Sequence, residues 1–118
     1  MSRYGWTIVL ITAIVAGALA LLKPRPSLGE DDATIKLFKV QCANCHGIDG
    51  KGQTTAGKQA GVKDWSDGKT LRALSDDKIR AIIRDGVKGD DGKDRMPPNK
   101  KLTDEQVNAL LQHVRSFQ

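Results

Sequence analysis

The stretch Cys42-Ala43-Asn44-Cys45-His46-Gly47 decides how the rest of the chain is read. Two thiols three positions apart at the end of a helix can reach two points along one edge of a porphyrin, and the imidazole that follows projects toward the iron. This is the spacing that attaches a c-type haem covalently, with the histidine as proximal ligand. Cys42 and Cys45 are therefore the expected attachment points and His46 an expected iron ligand. Structural zinc is a poor rival, because it needs four ligands and the chain holds only two Cys and two His. Adjacent Cys45 and His46 also suit a zinc spacing badly. A thiol redox pair would leave unexplained the histidine, the glycines after it and the lack of a β-α-β pattern.

Downstream, Gly47-Ile48-Asp49-Gly50-Lys51-Gly52 cannot be regular structure, and the polar run 53–69 reads as an irregular stretch wrapped around a prosthetic group. Trp65 and Leu71 are its expected inward anchors. Met96, followed by Pro97 and Pro98, lies on a charged turn between two helices, where simple core packing is a weaker expectation than iron ligation. Apart from the initiator it is the chain's only thioether, and a His/Met pair is a known ligand set for such a centre. His113 competes in principle, but it sits mid-helix beside an apolar stripe.

Working outward, three helices are predicted. Asp31 and Asp32 start the first, which carries Ala33, Leu37 and Val40 on one face with Phe38 beside them and runs into Cys42. Ser75 caps the second, from Asp76 to Asp85, which Gly86 ends. Its apolar face is Ile79, Ile82, Ile83 and Val87, with Asp76 and Arg80 as an i,i+4 pair. The third begins with a capping box, Thr103 with Gln106, and a staple of Leu102 on Val107. It continues through Leu110, Leu111, Val114 and Phe117. No strand pattern of useful length appears beyond the leader, so the fold expected is all-α: a small domain around one covalently bound haem c and its iron.

The formal charge of +5 is partly a property of the N-terminus, because from Gly29 onward 16 Lys and Arg face 14 Asp and Glu. Charges alternate in sign and form no basic stripe with interleaved aromatics, which argues against nucleic acid. Trp6 to Leu22 is an uncharged run of 17 residues, between a long signal core and a short membrane span. Residues 1–28 are expected to be a signal peptide or single-helix anchor with a short proline-containing tether, and 29–118 the haem domain. The domain is expected to be monomeric and periplasmic, or otherwise extracytoplasmic, held by residues 6–22 or released by cleavage.

Taken together, Leu37-Phe38-Lys39, the Cys42 to Gly47 motif, Asp49-Gly50-Lys51-Gly52, Met96-Pro97-Pro98, Leu102 to Gln106 and Val114-Arg115-Ser116-Phe117 resemble a class I c-type cytochrome in order and separation. The resemblance spans Asp31 to Phe117. It implies a helical shell around one haem, first and last helices crossing near Phe38 and Leu110, and an exposed haem edge. The implied function is one-electron transfer between redox proteins in or near the membrane, without enzymatic activity. A haem enzyme or gas sensor in which Met96 is labile is the competing expectation. Two positions depart from the family pattern: Thr34 stands where glycine is usual at the helix crossing, and His113 where an aromatic is usual.

Overall fold

The computed structural model describes residues 31–118; the expected leader, anchor and tether lie outside the described residues. Helix α1 spans Asp32–Gln41, α2 Ala43–His46, α3 Thr55–Ala60, α4 Asp76–Asp85 and α5 Asp104–Arg115. Between α4 and α5 a short antiparallel hairpin pairs β1, Val87–Lys88, with β2, Asp94–Met96.

Helix starts follow from local chemistry. Four backbone N–H groups at each helix start lack intrahelical partners, and a short oxygen-bearing side chain at the cap accepts from one of them. Asp31 accepts from the Thr34 amide at 2.7 Å, Thr54 from Gly57 at 2.8 Å, Ser75 from Lys78 at 3.2 Å and Thr103 from Gln106 at 3.2 Å. Gln106 returns the bond, its Oε1 accepting from the Thr103 amide at 3.0 Å. The predicted capping box is therefore complete.

The core gathers Phe38 of α1, Leu71, Ile79 and Ile83 of α4, and Val107, Leu110, Leu111 and Val114 of α5. Each large apolar side chain fully removed from water contributes roughly 1.5–3 kcal/mol, which favours the antiparallel clasp of α4 and α5 and the seating of α1 across α5. Phe38 is the hinge of that seating. Its ring meets His113 edge-on at 4.7 Å and Phe117 at 5.5 Å. Thr34, one turn earlier on the same face, is buried. His113 thus packs beside the apolar stripe, as its place in α5 suggested.

Several local expectations change. The inward face of α1 is Thr34, Leu37 and Phe38, whereas Ala33 is exposed and Val40 is 69% exposed. The helix rotates because the Phe38 ring, with far more apolar area than Ala33, is placed inward. The run 53–69 contains α3, between the Thr54 cap and Gly61 in the left-handed conformation at φ 68°. Val87 leaves the α4 face to join the hairpin and is 40% exposed. Arg80 pairs with Asp77 at 2.9 Å rather than with Asp76, which instead receives Arg115 from α5 at 2.7 Å.

Candidate cofactor site

Helix α1 ends at Gln41 and the chain turns at Cys42, whose amide donates to Phe38 O at 2.8 Å, before the single helical turn of α2. This places Cys42, Cys45 and His46 along one short segment. Helix α3 presses on it from outside: Thr54 Oγ1 donates to Cys45 O at 3.0 Å. Gly57 lies so close to the carbonyls of Cys45 and Gly52 that a Cβ there would overlap both. Only glycine allows that approach.

Met96 is brought to the same place by α4 and the hairpin. Val87 faces Met96 across the strand pair. Past the two prolines, Asn99 is tied to the end of α4, its amide donating to Arg84 O at 2.9 Å and its Nδ2 to Ile83 O at 3.0 Å. Gly86, at φ 70°, packs against the Met96 carbonyl with no space for a side chain. The methionine segment is therefore anchored at both ends.

Between these segments lies a cavity of about 420 Å³, within the range of small-molecule and cofactor sites. Cys42, Cys45, His46 and Met96 all border it. Its walls are largely apolar, from Val62, Trp65, Leu71, Leu74 and the isoleucines Ile79, Ile82 and Ile83 of α4. Among the described residues, Lys63 and Arg95 are the only charged ones on its lining.

The electrostatics suit a neutral imidazole donor beside un-ionised thiols better than a thiol redox site. Burial pushes the Cys42 thiol up to about 11, with Cys45 nearby adding to the effect. A reactive redox cysteine needs the opposite shift. The two cysteines form no disulfide with each other. Burial also pulls His46 down to about 4, so at neutral pH its imidazole is uncharged and keeps a lone pair to donate. The Nδ1 of His46 is buried with no hydrogen-bond partner among the described residues, and its ring stacks on Trp65, centroids 4.1 Å apart. An orphaned imidazole, two thiols and a thioether around one apolar cavity fit a covalently held haem.

Sequence reasoning named Cys42, Cys45, His46 and Met96, which the fold brings to one cavity, and the anchors Trp65 and Leu71. It did not identify Gly57, Gly86 or Asn99 as supports. The Thr54 cap followed by Gly61 was the available signal for α3, whereas nothing local marks Gly86 as the seat of Met96. Among the described residues no helix is long and apolar enough to cross a membrane.

The family described as "Cytochrome c" matches residues 33–118. A solved structure described as "KustC0563 c-type cytochrome" is 34% identical, covers 71% of this chain and 95% of its own, and superposes with a TM-score of 0.63. No curated protein matches the chain.

Proposed function

Because the chain belongs to the cytochrome c family, we propose that Cys42 and Cys45 carry its haem through thioether bonds, with His46 and Met96 as the two iron ligands. The protein is a monohaem c-type electron carrier rather than an enzyme. The bound haem supplies one-electron Fe(III)/Fe(II) cycling.

The chain's own residues make that cycling fast and selective. His46 and Met96 would both hold the haem iron, which would leave no coordination site for a substrate and keep ligand rearrangement small. Leu71, Leu74, Ile79 and Ile83 exclude water from the cavity, and a dry, weakly polar surround tunes the potential of a metal centre. Asn99 and Gly86 hold the Met96 segment in place before and after electron transfer. The observation that carries this reading is the convergence of Cys42, Cys45, His46 and Met96 on one apolar cavity.

The domain exchanges electrons with redox protein partners. The leader is read as export machinery: residues 1–28 direct residues 29–118 to the extracytoplasmic face, where the segment 6–22 holds the domain to the membrane or is removed. Its apolar run between positive flanks supports that reading.

Expression of the full chain in a host with haem-attachment machinery tests both parts. Intact mass should show one haem surviving denaturation, and its distribution between soluble and membrane fractions should show whether the leader is retained. The oxidised protein should be low-spin with a Met-to-iron charge-transfer band that a low concentration of cyanide leaves in place. A high-spin ferric spectrum would instead favour an open, ligand-binding centre.

A further inference from the structure

A metal-bound histidine almost always donates its second ring N–H to a carbonyl or carboxylate, which fixes the ring plane and makes the imidazole more electron-rich. His46 departs from this pattern. Its Nδ1 is buried, and no described residue accepts from it. What lies against the ring is the indole of Trp65, nearly parallel at 21°, with centroids 4.1 Å apart.

We propose that Trp65 is a positioning residue for the axial imidazole, its indole face taking the place of the missing hydrogen bond in orienting His46 and in stabilising the oxidised centre. The inference rests on the reading of His46 as an iron ligand.

Two physical effects support it. The first is steric: a ring stacked at this distance blocks rotation of the imidazole toward that side. Trp65 can impose the restraint because it is itself fixed. Its amide donates to Gly50 O at 2.9 Å, and its ring rests against Phe38 at 6.4 Å and Phe117 at 5.9 Å. Phe38 and Phe117 also meet each other, so the plane of His46 is set from the α1/α5 core through one aromatic layer.

The second effect is electrostatic. An imidazole on ferric iron shares part of the metal's positive charge, and the face of an indole, the strongest of the aromatic faces in this respect, attracts positive charge. Less of that charge remains after reduction. Trp65 therefore favours the oxidised state, and its loss should raise the reduction potential.

The test uses the full haem-bearing chain with Trp65→Leu, Trp65→Phe and Phe117→Leu. Trp65→Leu should shift the Fe(III)/Fe(II) equilibrium toward the reduced form by about threefold to tenfold, a rise of roughly 30–60 mV for a one-electron couple. It should also change the g-anisotropy of the ferric EPR spectrum as the imidazole plane relaxes. Trp65→Phe should move both quantities the same way but less. Phe117→Leu removes one of the rings that hold Trp65 but leaves Phe38 and the Gly50 bond in place, so it should lower stability and shift potential and EPR by less than Trp65→Leu.

An unchanged or lowered potential in Trp65→Leu overturns the proposal. So do equal shifts in the two Trp65 variants, or a shift of the same size in Phe117→Leu. If Trp65→Leu does not fold, Trp65→Phe decides alone: a smaller rise supports the proposal and no rise defeats it. The wild-type spectrum keeps the two readings apart. A low-spin His/Met spectrum with silent Trp65 variants removes this inference only, whereas its absence removes the ligand assignment itself.

Discussion

Gly86 is in backbone contact with Met96: the glycine ends α4 at φ 70°, and a Cβ on it would overlap the Met96 carbonyl oxygen and lie 2.9 Å from Pro97 C. The end of one helix thereby serves as the seat for a proposed iron ligand 10 residues later in the chain. Any side chain at this position must either move the methionine segment or unwind the helix end.

Gly86→Ala combines an unfavourable left-handed backbone for a residue with Cβ and a direct overlap. It should cost about 2 kcal/mol or more, and should weaken or abolish the Met-to-iron charge-transfer band while the haem stays covalently attached. Absorption spectra with chemical denaturation check both parts. A variant with an intact band and unchanged stability would show that Gly86 does not seat Met96.

Arg115 should be a major stabilising side chain of α5. Its guanidinium donates to Leu71 O at 2.6 Å, Leu74 O at 2.7 Å and Asp76 Oδ1 at 2.7 Å. Arg115→Met keeps the apolar stem but leaves two carbonyls of the 71–74 turn without their charged donor, at a cost of about 2–3 kcal/mol. Asp76→Asn, which weakens only the half-exposed ion pair, should cost under about 1 kcal/mol. Denaturant midpoints of the two variants give the comparison.

Acid sensitivity should follow His46. Its folded pKa, about 4, lies below the ordinary 6.5, so the unfolded chain takes up a proton first. The neutral folded ring incurs no penalty above pH 6.5; stability then falls as pH drops from about 6.5 to about 4 and levels off below, by up to ~3 kcal/mol from this group. Iron coordination favours the same neutral form and extends the window lower. A pH titration of the low-spin spectrum should show ligation intact through neutral pH and lost at or below about pH 4. Loss of ligation already near pH 6 would contradict the burial of His46.

Thr103→Ala removes the oxygen that accepts from the Gln106 amide and breaks the capping box. The expected cost is about 1 kcal/mol, visible as a lower Tm with no change in potential or absorption, because the cap lies away from the cavity lining. A spectral change would mean that the start of α5 is coupled to the haem site.

What could be read without the fold was what depends on neighbours along the chain. The spacing of Cys42, Cys45 and His46 is set by consecutive residues, and so is helix capping by Asp31, Ser75 and Thr103. Both were legible, and with them three of the helices and the character of the site. What needed the tertiary structure was every choice between alternatives of similar local cost. Helix α1 could present Val40 or Thr34 with Phe38, and the second face wins because Phe38 finds His113 of α5 and Phe117 just beyond it. Asp76 could pair with Arg80 or a distant partner, and Arg115 reaches it while also satisfying two carbonyls. The Cys-x-x-Cys-His motif alone marked the proposed point of haem attachment. That its histidine stacks on a tryptophan 19 residues away in sequence was decided by the fold, because stacking depends on distance in space and leaves no period or spacing to read.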